Sequence, residues 1–127
     1  MLDFNKAILM GNLTRDPDLK YTQSGTAVCT CGIAINRKFK DKQGNSQEEV
    51  SFIDIQAWAR TAEILSQHCQ KGSRIMVEGR LKQDRWENRD GKTRTKVHVI
   101  AETIFFLDRN GKRENSGNGD YGDEPEF

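Results

Sequence analysis

Phe52, Trp58 and Trp86 each sit in a stretch that alternates apolar with polar residues, and each falls on the polar side. In the stretch ending at Trp58, Ile53, Ile55 and Ala57 alternate with Phe52, Asp54, Gln56 and Trp58. An extended backbone sends successive side chains to opposite faces, so both aromatics share a face with polar residues. From Arg74 to Trp86 the inward set is Ile75, Val77, Gly79 and Leu81; Arg74, Glu78, Arg80, Lys82 and Trp86 take the other face. A large aromatic on a wet face costs hydration free energy unless something covers it. A flat ring with cations beside it suits an unpaired nucleic-acid strand, because every base has a π-face and every phosphate a charge. Phe52 and Trp58 are six residues apart, roughly 20 Å along a strand, which leaves room for several nucleotides. Phe39, flanked by Arg37, Lys38, Lys40 and Lys42, extends the same surface. Further phosphate contacts are expected among Arg74, Arg80, Lys82, Arg85, Arg94 and Lys96. The competing reading packs these aromatics under a helix or against a second subunit and leaves the charges solvated.

Positioning such a surface requires a curled sheet. Residues 5–13 read as a first strand, with Gly11 at a bend. Turn signals at Asp16-Pro17-Asp18 and Ser24-Gly25 flank a short extended piece, Lys20-Tyr21-Thr22. A second strand over 27–36 places Ala27, Cys29, Cys31, Ile33 and Ile35 on the core face; a basic hairpin tip with Gly44-Asn45 leads to the return strand over 50–58. Residues 61–70 have helical spacing through Ala62, Leu65 and Cys69, with Thr61 as N-cap and Gly72 as the stop. Strands over 74–86 and 93–100 follow, joined by the turn Asn88-Arg89-Asp90-Gly91. Five strands with one helix between the third and fourth make an all-β, partly open Greek-key barrel of the OB type.

Charge divides the chain. Residues 1–113 hold all 20 Lys and Arg against 14 Asp and Glu, and residues 114–127 hold no Lys or Arg against five acids. The expectation is a folded domain over 1–112 and a disordered acidic tail over 113–127. The longest apolar run, Ile104-Phe105-Phe106-Leu107, is too short to cross a bilayer. The opening residues lack a charged segment followed by an apolar one, so a cytosolic protein without membrane contact is expected. Three cysteines under those conditions read as thiols, and Cys29-Thr30-Cys31 lacks zinc spacing. They are expected to be small buried hydrophobes, with no metal and no cofactor.

From Asn5 to Leu107 the sequence resembles the DNA-binding domain of bacterial single-stranded DNA-binding proteins. The resemblance lies in Asn5-Lys6-Ala7-Ile8-Leu9-Met10-Gly11-Asn12-Leu13, Asp16-Pro17, Lys71-Gly72-Ser73, Glu78-Gly79-Arg80-Leu81, and Trp86 before Asp90-Gly91. It implies an OB barrel, a homotetramer, and base stacking on Phe39, Phe52, Trp58 and Trp86. Positions 39 and 52 are commonly tryptophan in the best-known members and are phenylalanine here. The resemblance also implies an acidic tip that docks its terminal Phe into replication and repair proteins. The corresponding residues are Asp123, Glu124, Pro125, Glu126 and Phe127, where Glu126 separates the Pro-Phe pair that closes the family tip. A nucleoid-associated protein of replication, recombination and repair follows as an expectation.

Catalysis needs a nucleophile with its base, paired carboxylates or a phosphate cradle, and the strands offer only Asp54, better read as a cross-strand partner for Lys or Arg. No enzyme is expected. The remaining rivals are another OB-fold binder, such as a primosomal or cold-shock-like module, and a structural oligomer that uses the aromatic face as its interface.

Overall fold

The structure, a computed structural model, describes residues 2–107. The tail residues named above lie outside the described residues. The elements are β1 (Ala7–Leu13), β2 (Asp18–Tyr21), β3 (Ala27–Lys40), β4 (Ser46–Trp58), α1 (Ala59–His68), β5 (Arg74–Glu87) and β6 (Thr93–Phe106). Strand order is β1-β5-β6-β4-β3-β2, and β1 also pairs with β3. That extra pairing closes β1, β5, β6, β4 and β3 into the expected five-strand barrel. The short β2 hangs on β3, and the helix falls between the third and fourth barrel strands.

Closure depends on two glycines. At Gly11, β1 is turning from β5 toward β3, and a Cβ there would stand 2.3 Å from the Ala34 carbonyl oxygen. At Gly79 a Cβ would stand 1.9 Å from the Ile100 carbonyl oxygen. Beside it the β5–β6 register shifts, pairing Glu78 with Thr103 and Gly79 with Ala101, so Glu102 is skipped. Such a bulge sharpens the bend that a barrel wall needs.

The core is the alternating set. Cys29, Cys31, Ile33, Ile55, Ala57, Ile75, Val77, Val99 and Ala101 are buried, and α1 adds Ala62 and Leu65. Ile35 and Ile53 are only half-buried. Leu81, expected inside, is 47% exposed. It lies past the bulge at Gly79, near where β5 and β6 run on beyond their last β4 contact toward the turn at Asn88–Gly91, though its partner Val99 is still buried.

Strands are also longer than their apolar patterns. The β3–β4 ladder continues to the pair Lys40–Ser46, so the basic segment expected as a tip is mostly strand. The turn proper is held by Asp41, whose carboxylate accepts the Gln43 and Asn45 backbone N–H groups, each at 2.9 Å. Those hydrogen bonds lower the Asp41 pKa. Likewise β6 runs past Ile100 to Phe106, along β5.

The helix begins at Ala59, two residues before the expected cap. Trp58 occupies the cap position without a side-chain cap hydrogen bond. β4 turns directly into α1 through Ala59, whose φ is +55°. The helix stops at His68, with Cys69 extended and its N–H donating to the Leu65 carbonyl at 3.1 Å. Gly72, with φ +92°, belongs to the following turn, where its N–H donates to the Leu13 carbonyl at 2.9 Å.

Candidate nucleic-acid interface

On the outer face of β3 and β4 the register sets Phe52 opposite Ala34, Asp54 opposite Gly32, Gln56 opposite Thr30 and Trp58 opposite Val28. Paired residues share a face, so small side chains on β3 leave the two aromatics standing above low ground. Phe52 is 72% and Trp58 41% exposed. The Trp58 indole N–H donates to Gln56 Oε1 at 2.9 Å, which fixes both side chains.

β5 and β6 continue this face. Trp86 pairs with Arg94, Asp84 with Lys96, and Lys82 with His98. Trp86 is 49% exposed. Lys96 forms an ion pair with Asp54 across the parallel β4–β6 seam, joining the two halves of the surface. Asp54 therefore has the cross-strand role expected of it. Phe52, Trp58, Trp86, Lys82, Arg94 and Lys96 are thus brought to one side of the barrel, and Lys38 and Lys40 share the pleat face of Phe52.

Phe39 is placed differently. It pairs with Gln47 on the opposite pleat face of the β3–β4 arm, is half-buried, and has the Arg37 guanidinium 4.4 Å from its ring centroid. With Lys38, Lys40 and Gln47 it borders a shallow depression of about 510 Å³. Arg74 lies at the start of β5, donating to Asn12 Oδ1 at 2.9 Å. It is twelve residues from Trp86, roughly 40 Å along the strand, so it joins β1 to β5 and stands apart from the aromatics. Arg85 alternates to the face opposite Trp86.

Several of the cations are already engaged. Arg37 meets Glu49 at 3.3 Å, Arg80 meets Glu102 at 2.9 Å and Lys82 meets Asp84 at 3.0 Å. The Lys82 hydrogen bond is the main reason the Asp84 pKa is lowered. Lys38, Lys40, Lys42, Arg85 and Arg94 form no ion pair among the described residues. Exposed pairs contribute roughly 0–1 kcal/mol each, so a phosphate can replace a carboxylate at little cost.

One polar residue in the wall of this face, Arg15, escaped the sequence reading, and His98, a strand-face residue beside the basic groove as its alternation predicts, is more deeply buried than that position requires. Arg15, just past β1, lies over Gly32, where a Cβ would be 2.7 Å from its Nη1, and reaches Asp54 at 3.8 Å. A glycine inside an otherwise β-branched and cysteine-rich strand was the available signal. His98 is 7% exposed, its Nδ1 3.4 Å from Asp84, because β4 and β5 cover it on either side. The cysteines are all buried, and burial pushes the Cys29 and Cys31 thiols up to about 11 and about 12. Among the described residues no group of three or more His, Cys, Asp and Glu could hold a metal ion, and no helix is long and apolar enough to cross a membrane.

A five-strand barrel with one helix between its third and fourth strands, and with aromatics and cations gathered on one outer wall, defines a protein of the OB type. The chain matches the Single-strand binding protein family over residues 4–107 and belongs to that family. It is 44% identical over 117 residues to the single-stranded DNA-binding protein of Wolinella succinogenes, covering 92% of this chain and 72% of that one. It is 45% identical over 105 residues to that of Helicobacter hepaticus, covering 83% and 62%. The chain thus spans less than two thirds of the second relative's length. Among solved structures, it is similar to the single-stranded DNA-binding protein from Thermus aquaticus, with TM-score 0.74 and 34% identity over 91% of this chain and 52% of that one. The Plasmodium falciparum SSB complex with ssDNA shares the fold at TM-score 0.79 and 23% identity, covering 85% of this chain and 98% of that one.

Proposed function

We propose that the chain binds single-stranded DNA with little sequence specificity, by stacking and charge, and catalyses nothing. The observation that carries this reading is the exposure of Phe52, Trp58 and Trp86 on one wall that also bears Lys82, Arg94 and Lys96. Bases stack on those rings, and on Phe39 when the strand follows the β3–β4 arm. Phosphates are met first by Lys38, Lys40, Lys42 and Arg94, which form no ion pair among the described residues. Arg37, Arg80, Lys82 and Lys96 join by exchanging a carboxylate for a phosphate, and Arg85 and Arg74 lie further out.

The wider role we infer is coating of unpaired strands in replication, recombination and repair, in the cytoplasm with the nucleoid. The acidic tip at Asp123, Glu124, Pro125, Glu126 and Phe127 recruits partner proteins. A homotetramer is consistent with β1, whose edge from Ala7 to Met10 has β5 on one side and no strand on the other among the described residues, with Ile8 exposed. Open edges of that kind are normally covered.

The test is tryptophan fluorescence during titration with poly(dT), RNA and duplex DNA at two salt concentrations. Quenching by poly(dT) alone, weakened by salt, is the expected result. An equal response to RNA would favour an RNA-binding barrel. No response to any single strand would return the aromatics to a subunit interface.

A further inference from the structure

We propose that Gln56 is a positioning residue for Trp58, holding the indole in its stacking orientation before any strand arrives. The inference rests on the reading of this face as a single-strand-binding surface.

Trp58 occupies a position that local structure would give to another residue. It is the last residue of β4 and the cap of α1, where Ser, Thr, Asp or Asn would accept a hydrogen bond from a free helix N–H and tryptophan does not. The next residue, Ala59, turns the chain with a φ of +55°. An uncapped helix start and a strained alanine thus fall side by side, and such departures gather where a side chain serves binding at the expense of stability.

One hydrogen bond fixes the ring. Gln56 and Trp58 lie two residues apart on one pleat face, and the indole Nε1–H donates to Gln56 Oε1 at 2.9 Å. An indole N–H can only donate, so the amide oxygen must be the atom turned toward it. Asp54, the other acceptor between the two aromatics of β4, is already paired with Arg15 and Lys96. That leaves Gln56 to hold the ring without adding charge to the wall. Gln56 is itself half-buried opposite Thr30, so the anchor has little freedom of its own. Phe52, which has no polar atom to tether, stands 72% exposed against 41% for Trp58. Ordering a free side chain costs affinity, and a ring held beforehand has met that cost in folding. The bond also occupies the indole N–H within the protein, so Trp58 meets its base through the ring face.

The experiment is a double-mutant cycle on affinity for a single-stranded DNA oligonucleotide of mixed sequence, using wild type, Gln56→Met, Trp58→Phe and the double variant. Methionine keeps the length of the side chain and removes the acceptor; phenylalanine keeps a stacking ring and removes the donor. Thermal melting checks that each variant folds. Gln56→Met is expected to weaken binding roughly two- to ten-fold when Trp58 is present, to change nothing in the Trp58→Phe background, and to keep the salt slope in both. In a Trp86→Phe background Trp58 is the sole tryptophan, and there Gln56→Met should add a fast component to its fluorescence anisotropy decay that bound DNA removes. An equal loss of affinity in both backgrounds would overturn the proposal by making Gln56 a direct contact to the strand, and no loss in either would overturn it as well. A wild type that did not bind the oligonucleotide would instead overturn the single-strand reading itself.

Discussion

Gly79 and Ile100 approach so closely across the β5–β6 ladder that no side chain fits between them: a Cβ on Gly79 would lie 1.9 Å from the Ile100 carbonyl oxygen. The obstacle is backbone and cannot swing aside. Gly79→Ala must therefore move one wall of the barrel at the bulge, at a cost of about 3 kcal/mol or more. Urea unfolding is the measurement, and a midpoint unchanged from wild type would mean that the wall is softer than its geometry implies.

Ala59 presents the opposite case. Its φ of +55° is one an L-residue reaches only with strain, typically 1–2 kcal/mol. Glycine removes the strain but adds freedom to the unfolded chain, so Ala59→Gly is expected to stabilise the fold by about 0.5–1 kcal/mol. Thermal denaturation reports this as a higher Tm.

The thiols supply a pH signature. Burial raises Cys29 to about 11 and Cys31 to about 12 from an ordinary value of 9.0. The folded state then holds its protons while the unfolded state releases them, so their effect on stability vanishes below pH 9 and becomes a loss as pH climbs toward 12. Replacing both by Ala should flatten the alkaline limb of a stability–pH curve. In the native wild type both should resist a thiol reagent at pH 8 and react after denaturation.

Stacking and charge separate on the aromatic wall. Trp86→Ala should weaken single-strand binding by about 1–3 kcal/mol and leave the salt dependence unchanged. Lys40→Met should reduce the slope of log affinity against log salt by about one. Titrations at a series of salt concentrations distinguish them, and identical slopes for the two variants would mean that one of the roles is misassigned.

Much of this architecture is legible in the chain because alternation is a local signal. Cys29, Cys31, Ile33, Ile55 and Val77 are all buried as their spacing requires, and the same two-residue period exposes Phe52, Trp58 and Trp86. What the period does not reveal is where a strand leaves the barrel. Leu81 continues the inward set of β5, yet past Gly79 it is exposed. Phe39 sits among the basic residues of the second strand, but its place is set by the register of an arm whose extra length carries no apolar pattern. Long-range approach is equally hidden. Arg15 reaches Asp54 only because Gly32, 17 residues further along, clears the way, and the start of α1 is set by a turn at an alanine that propensity would not choose. For the aromatic wall as a candidate site, residue type carried most of the reading. Which charges of that wall are already matched, Asp54 with Arg15 and Lys96 and Asp84 with Lys82, is visible only in three dimensions.

The barrel's seams are unequal. β3 with β4, and β5 with β6, zip together along nearly their whole lengths. By contrast β1 meets β3 only at Asn12 and Leu13, and β4 meets β6 only from Ile55 to Ala57. The fold is therefore two stiff half-shells basted together at opposite sides, with Phe52 and Trp58 on one half and Trp86 on the other. A polymer lying across all three rings would span the β4–β6 join and act as an added stitch, making the cargo part of what keeps its container shut.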